Sequence, residues 1–164
     1  MVLVYAPDVA PWAKAFFEPF EVAVRQLALT ERLQPVKARE DYEALFDACG
    51  RDPGCSVILV DDAMFSRNLE HITALARDHK VPAKYTNQGY VITYGALIAY
   101  GLGITDLYVQ SADYVDKILK GAKPSDLPVQ MPATFRMAVN LKTAAAIGLE
   151  IPSEILLQAD RIIE

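Results

Sequence analysis

Apolar residues in this chain follow two patterns, short unbroken runs and longer stretches with helical spacing. The clearest run is 57–60, four consecutive apolar residues that stop abruptly at Asp61 and Asp62. A run with no polar residue at alternate positions is typical of a strand covered on both faces, as in a parallel sheet between helices. The pattern therefore predicts that 57–60 is a central strand of such a sheet.

Strands and helices are predicted to alternate along most of the chain. The predicted strands are 2–5, 33–38, 57–60, 83–85, 91–93 and 135–139. The predicted helices are 11–27, 40–49, 66–80, 105–120, 141–147 and 152–163. Such alternation favours an α/β fold with a parallel sheet and right-handed crossovers.

Three prolines refine this prediction. Pro11 suits the first position of a helix, where its missing N–H costs nothing. Pro19 is expected to kink that helix or to begin a second segment, because proline removes an intrahelical hydrogen bond. Pro35 cannot donate to a strand ladder, so its strand is expected at the sheet edge. An edge position for the second strand favours the flavodoxin-like, doubly wound order 2-1-3-4-5.

Two helices carry further local signals. The first is expected to pack an apolar face on the sheet, formed by Trp12, Phe16, Phe20, Ala23 and Leu27. In the late helix 141–147, Asn140 suits the amino-terminal cap and Gly148 suits the position just past the carboxyl end.

Composition narrows the class of protein. The chain has 164 residues, 52% apolar and 23% charged, as expected for one globular domain. Its net charge of −5 is spread among Lys and Arg, without the basic stripe that a phosphate backbone requires, so nucleic acid is not a predicted partner. The longest apolar window, 96–104, is about half the length needed to cross a bilayer, so no membrane span is predicted.

The start of the chain and its two cysteines bear on the cellular compartment in which the protein is expected. Met1 runs straight into a predicted strand without a charged leader, so we expect a chain that is cytoplasmic, if Met1 is the native start, or already trimmed. Cys49 and Cys55 lie close enough in sequence to form a disulfide in an oxidising compartment. As reduced thiols they would serve as small apolar side chains, and the sequence leaves both alternatives open.

Asp61 and Asp62 are the main candidates for chemistry, because ligands of open α/β sheets bind beyond the carboxyl ends of the strands. We expect one carboxylate to cap the following helix and the other to contact a ligand. The sequence contains no nucleophile–base pair, metal-binding cluster or phosphate loop, and His71 and His79 are interpreted as solvated. Neither an enzyme nor a cofactor is therefore predicted.

Two segments late in the chain resemble a known family. They are 114–129, YVDKILKGAKPSDLPV, and 139–144, VNLKTA, with Phe135 between them. Both are similar to the tail of the ABC-transporter substrate-binding proteins related to tryptophan-binding proteins. The order of earlier blocks also agrees, from 2–7 through 60–62 and 81–83 to Tyr100-Gly101, so the resemblance covers essentially the whole chain.

Members of that family are periplasmic or lipid-anchored and trap a small ligand between two flavodoxin-like lobes. The resemblance implies that 1–164 is a single α/β domain equivalent to the carboxyl-terminal lobe of a type I periplasmic binding protein. It also implies a periplasmic location, a small-molecule ligand and an ABC permease as partner. Residues 94–128 would normally pack on the amino-terminal lobe. Without that lobe, we expect their apolar surface to form a homodimer.

When the family's ligand-facing positions are carried over to this sequence, the resemblance implies a ligand site just past the strand ends. The expected ligand-facing residues are Tyr5, Pro7, Trp12, Asp61, Asp62, Tyr85 and Thr86. A carboxylate such as Asp62 would pair with an ammonium group, and an aromatic side chain would stack on a ring, which suits an amino acid or aromatic ligand. The alternative function is a stand-alone dimeric ligand-sensing or regulatory domain.

Overall fold

A computed structural model of the chain describes residues 1–132 and 134–164. Within these residues, seven strands form one sheet in the order β2-β1-β3-β4-β5-β6-β7. The strands are β1 Val2–Tyr5, β2 Arg32–Pro35, β3 Val57–Leu59, β4 Ala83–Tyr85, β5 Ile98–Leu102, β6 Phe135–Asn140 and β7 Arg161–Ile163. The α-helices are α1 Phe17–Gln26, α2 Arg39–Gly50, α3 Ala63–Arg67, α4 Leu69–Asp78, α5 Gln88–Tyr94, α6 Ile104–Leu119, α7 Leu141–Ile147 and α8 Ser153–Leu156. Short 3₁₀ helices span Pro11–Phe16 and Pro124–Asp126.

The first five strands are parallel, in the predicted order 2-1-3-4-5. Pro35 ends β2 at the edge of the sheet, where its missing donor removes no ladder bond from a neighbour. Strand β6 then pairs antiparallel with β5, and β7 returns parallel to β6. The α/β, flavodoxin-like fold class is confirmed, with two strands added at the far edge.

The fifth strand is not the one predicted. Residues 91–93 lie in α5, because local helix signals on both sides outweigh their apolar, β-branched character. The Asn87 side chain accepts the N–H of Gly89 at 2.8 Å, and Gly95 ends the helix with a φ of 71°. The strand is instead β5, where Ala99 pairs with Ala138.

The predicted terminal helix 152–163 is also wrong. Helix α8 makes a single turn, and the chain then forms β7 beside β6. Asp160 sets this change, since its carboxylate accepts the backbone N–H of Met137 at 2.7 Å and a bond from Arg136 at 3.0 Å. These contacts fix the chain against β6, and the following Ile162 and Ile163 suit a strand.

The predicted helix 66–80 begins earlier and is divided. Asp62 caps α3, and Asn68 lies between α3 and α4 with its side chain donating to the carbonyl of Met64 at 2.9 Å. That side-chain bond replaces the regular helical pattern at the junction.

The first helix follows Pro19 as predicted but buries a different face. Pro19 lies in the first turn of α1, which begins a second segment after the 3₁₀ helix. Because a 3₁₀ helix has three residues per turn, the apolar stripe is out of phase across this junction. Ala13, Phe20 and Val24 are buried, whereas four of the five residues predicted to pack on the sheet are exposed, namely Trp12, Phe16, Ala23 and Leu27.

Helices cover both faces of the parallel part of the sheet. Helices α2 to α5 cover one face, with Phe46, Phe65 and Ile72 in its core. The first 3₁₀ helix and α1 cover the other face of β1 and β3. A disulfide between Cys49 and Cys55 joins the end of α2 to the start of β3. Of the two alternatives that the sequence left open, disulfide or reduced thiols, the structure therefore shows the disulfide.

Helix α6, close to the predicted 105–120, differs from the other long helices because none of its residues is buried. Leu119 is 82% exposed and Tyr108 is 74% exposed. No helix among the described residues is long and apolar enough to cross a membrane.

The buried face of α2 generates a stability prediction. Phe46 is completely buried. Phe46→Ala should lower the free energy of unfolding by about 3–5 kcal/mol, because it removes apolar contacts and leaves a cavity. Urea unfolding followed by circular dichroism measures this change. The exposed Leu157 provides the control, since Leu157→Ala should change stability by less than about 1 kcal/mol. Equal losses would contradict the described core.

Candidate functional site

Four side chains meet at the carboxyl edge of the sheet, beyond β3 and β4. The carboxylate of Asp61 accepts a bond from the Thr86 hydroxyl at 2.8 Å and another from the Tyr90 hydroxyl at 2.9 Å. Its other oxygen accepts the Ser66 hydroxyl at 3.1 Å. Asp61, Ser66, Thr86 and Tyr90 are called the hydroxyl–carboxylate cluster below.

Two helix caps bring these residues together. Asp62 caps α3 by accepting the N–H groups of Met64 and Phe65, both at 2.8 Å, and this helix carries Ser66 back towards Asp61. Asn87 caps α5, which places Tyr90 one turn beyond Thr86. Each helix therefore starts directly at the end of a strand and returns a hydroxyl group to the same carboxylate.

Gly101 in β5 allows Thr86 to take its position. A Cβ atom added to Gly101 would lie 2.1 Å from the carbonyl oxygen of Thr86. Real side chains do not come so close to a backbone oxygen, so only glycine fits without moving the Thr86 backbone. Strand β5 thus supports the cluster from the side.

The cluster carries a negative charge that is balanced only by neutral donors. Within residues 1–132 and 134–164, Asp61 forms no ion pair with Lys, Arg or His. Burial, together with the hydrogen bond to Asp61, raises the pKa of Tyr90 to about 12, so its hydroxyl remains a donor at neutral pH. Asp61 is only half-buried. Its carboxylate is therefore oriented by hydroxyl groups and suited to a cationic partner.

The other residues expected to face a ligand differ in how close they lie to the hydroxyl–carboxylate cluster. Tyr5 is the last residue of β1 and Pro7 follows the strand at the same edge, and both are half-buried. The ring of Tyr5 packs edgewise on Phe17, with 4.7 Å between ring centroids. Trp12 is half exposed and contacts Phe16 at 5.9 Å between centroids, outside the core it was expected to join. Thr86 belongs to the hydroxyl–carboxylate cluster.

Tyr85 does not face the edge. It is 1% exposed and packs beside Phe65 in the core, on the same face of β4 as Ala83. Burial raises the pKa of its hydroxyl to about 12. The expectation that Tyr85 contacts a ligand is corrected, because the alternation of side chains along β4 directs it into the helical layer.

The expectation that Asp62 pairs with an ammonium group is also corrected. One of its oxygens accepts two backbone N–H groups, and the other is buried without a hydrogen-bond partner among the described residues. Asp62 is therefore the capping carboxylate and Asp61 the one that faces outward. The structure thus assigns the expected cap to Asp62, and the expected ligand contact stays a prediction for Asp61.

Ser66 and Tyr90 are the cluster residues that are not among the ligand-facing residues expected from the sequence. The available signal was the spacing, since Ser66 lies four residues after a capping Asp and Tyr90 three residues after Asn87. At these spacings one helical turn returns a side chain towards the strand end. Predicting both caps would have placed these hydroxyl groups.

A shallow depression lies beside the cluster at the same edge. It has a volume of about 350 Å³ and is lined by residues of α5, the start of α6 and β6, including Asn87, Ile92, Ile104, Asp106 and Arg136. Arg136 is paired with Asp106 at 3.2 Å and with Asp160 at 3.0 Å, so its charge is already balanced. The described residues contain no group of His, Cys, Asp and Glu suited to a metal ion.

An α/β lobe with an oriented carboxylate at its carboxyl edge is the architecture of a small-molecule-binding domain. The family model described as ABC transporter substrate binding protein matches residues 21–163. The chain belongs to this family. No match was found among curated protein sequences.

Three solved structures show the same fold. A conserved domain protein from Vibrio cholerae has a TM-score of 0.81 at 24% identity, with 98% of this chain and 53% of that chain covered. An ABC domain in complex with L-Trp from Streptococcus pneumoniae has a TM-score of 0.80 at 21% identity, with 99% and 55% covered. A ligand-free, open substrate-binding protein with adhesive properties from Clostridium difficile has a TM-score of 0.67 at 17% identity, with 99% and 53% covered. The chain thus spans about half the length of these structures.

The assignment of Asp62 as a cap is testable by a matched pair of substitutions. Asp62→Ala removes the acceptor for two N–H groups and should lower the free energy of unfolding by about 1–2 kcal/mol. Asp62→Asn keeps a capping oxygen and should retain most of the stability. Thermal unfolding of the two variants measures the difference, and equal stability would show that the cap contributes nothing.

Proposed function

We propose that this chain binds a small ligand that carries a cationic amine, and that it does so as the solute-binding component of an ABC-type importer. The observation that supports the proposal is the Asp61 carboxylate, which is held by three hydroxyl groups and paired with no cation among the described residues. An ammonium group supplies the missing positive charge and three donors, and a charge-assisted bond of this kind is stronger than a neutral one.

Aromatic side chains near the edge suit an amino acid or an aromatic amine. Tyr90 donates its hydroxyl group to Asp61 while its ring packs edgewise on Phe65, and Tyr94 follows one turn later in α5 and is exposed. Tyr5 is the last residue of β1, and Trp12 lies in the 3₁₀ helix that follows this strand. Stacking on such rings adds about 0.5–1.5 kcal/mol per aromatic pair beyond burial. The complex with L-Trp of the Streptococcus pneumoniae protein is consistent with this ligand class.

The proposal also divides the chain into a lobe that carries the ligand site and a segment that packs elsewhere. Residues up to 103 and about 129–164 form the lobe that carries the site, because β5 lies within the sheet between β4 and β6. Of the segment 94–128, the part that leaves the lobe to pack on another folded unit is therefore 104–128. Helix α6 lies in this segment and buries none of its own residues. The full role requires a second lobe to cover the ligand and an ABC permease to receive it.

The disulfide supports an extracytoplasmic location for the protein. Cys49 and Cys55 are joined in the structure, and disulfides persist in oxidising compartments such as the periplasm. A periplasmic location agrees with the role of a solute-binding protein.

Calorimetry with a panel of ligands tests the proposed function. The panel contains L-amino acids, aromatic amines and aromatic carboxylic acids of similar size. Amine-bearing ligands should give heat, and Asp61→Asn should weaken their binding about 10- to 100-fold because a charge-assisted interaction worth about 1.5–3 kcal/mol is lost.

Asp62→Asn is the matched control, since it makes the same chemical change one residue away at the cap and should leave the affinity within about twofold. Absence of heat from every amine, or equal binding by the acids that lack an amine, would refute the proposal.

A separate experiment tests the compartment. In protein isolated from the native cells under alkylating conditions, Cys49 and Cys55 should remain unmodified until a reductant is added, and mass spectrometry measures the label. Alkylation of both thiols without reduction would indicate a reducing compartment instead.

A further inference from the structure

A small cavity lies inside the lobe, between α4, β4 and α7. It has a volume of about 10 Å³, which is the space that one water molecule requires. Its apolar walls include Ala83 of β4 and Ile147 of α7. Three residues that bear hydroxyl groups also line it, namely Thr73, Tyr85 and Thr143. The cavity therefore brings a few polar groups together in apolar surroundings.

The Tyr85 hydroxyl lacks a partner in this cavity. Tyr85 is 1% exposed, and no residue in the described part of the chain forms a hydrogen bond with its hydroxyl oxygen. Burial raises the pKa of this group to about 12, so the oxygen keeps its proton at neutral pH and is a donor. Buried polar groups are nearly always hydrogen-bonded, to protein or to ordered water, because an unpaired one costs free energy. Tyr85 therefore requires an acceptor inside the cavity.

The two threonine hydroxyls can accept a hydrogen bond but have no free proton. Thr73 donates to the carbonyl of Leu69 at 2.8 Å, and Thr143 donates to the carbonyl of Gly95 at 2.7 Å. A hydroxyl group has one proton and two lone pairs, so each oxygen can still accept a bond. Thr73 is close enough to Tyr85 to oppose part of the rise in its pKa, although the two hydroxyls are not in hydrogen-bonding geometry. The cavity thus presents one donor and two acceptors.

A single water molecule matches this set of groups. Its oxygen can accept the Tyr85 proton, and its two protons can be donated to the threonine oxygens, which gives the three hydrogen bonds typical of a buried water. A bound anion would instead meet two oxygens that have no proton to donate, and a bound cation would meet the Tyr85 proton. Arg77 also lines the cavity, but it is exposed and pairs with Asp78 at 3.5 Å. The cavity therefore favours water over an ion.

We propose that one water molecule is bound in this cavity, where it accepts a hydrogen bond from Tyr85 and donates to Thr73 and Thr143. The water links α7, which follows β6, to α4 and β4, which lie much earlier in the chain. It therefore helps to hold the late part of the chain on the lobe. This site does not involve Asp61, so the inference stands apart from the ligand proposed there.

A high-resolution crystal structure of the full chain tests the position of the water. Electron density for a single water should lie within about 2.5–3.0 Å of the hydroxyl oxygens of Tyr85, Thr73 and Thr143. A cavity without density, or a water that contacts Tyr85 but neither threonine, would overturn the proposal.

Substitutions measure whether the water couples Tyr85 to Thr143. Tyr85→Phe and Thr143→Val each remove one hydroxyl group and keep the shape of the side chain. Each should lower the midpoint of thermal unfolding by about 2–4 °C, the shift that one lost hydrogen bond produces in a chain of this size. Both changes act on the same water, so the double variant should lose clearly less than the sum of the two. Thr143→Ser is the matched control, because it keeps the hydroxyl group and Tyr85→Phe should have its full effect in that background.

The unfolding midpoints can overturn the proposal in three ways. Because an unpaired hydroxyl is costly, Tyr85→Phe would raise the midpoint if no water were bound. Additive losses for Tyr85→Phe and Thr143→Val would show that no water joins them. Coupling of Tyr85→Phe to Thr73→Val alone would show a direct bond between those two side chains. Circular dichroism checks that every variant is folded, as expected for changes that keep side-chain volume.

Discussion

The two helix caps at the carboxyl edge are the interactions on which the candidate site depends. Asp62 begins α3 and Asn87 begins α5, each immediately after a parallel strand. Because each helix starts so close to its strand, one turn is enough to bring Ser66 and Tyr90 back to Asp61. The arrangement of hydroxyl groups around the Asp61 carboxylate therefore follows from satisfying backbone N–H groups at two helix ends, an ordinary requirement of folding.

The location of the site could be predicted from the sequence, but the division of roles within it could not. An apolar run that ends at two carboxylates marks the end of a buried strand, and this placed Asp61 and Asp62 correctly at the edge. Either carboxylate can cap a helix, and the choice depends on a one-residue difference in where α3 begins. Tyr85 was assigned to the edge because it ends its strand, although the alternation along β4 turns it inward.

Elements with strong local signals were predicted well, and elements that depend on distant partners were not. Helix α2 and helix α7 have apolar periodicity and clear ends. Strand β5 contains alanine and glycine and is formed by pairing with β4 and β6. Strand β7 exists because Asp160 fixes the chain to Met137, a contact between residues more than twenty positions apart. Helix α6 was visible in the pattern, but its lack of buried residues appears only in three dimensions.

Gly101 makes the position of Thr86 sensitive to the residue type in β5. The backbone of β5 touches the Thr86 carbonyl oxygen with no room for even a methyl group. Strand β5 continues through Gly103 into α6. Strand β5 therefore connects two parts of the molecule, since its Gly101 contacts the residue that donates to Asp61 and its end leads into α6. A side chain at position 101 would push the Thr86 backbone away and so displace a hydroxyl group that donates to Asp61.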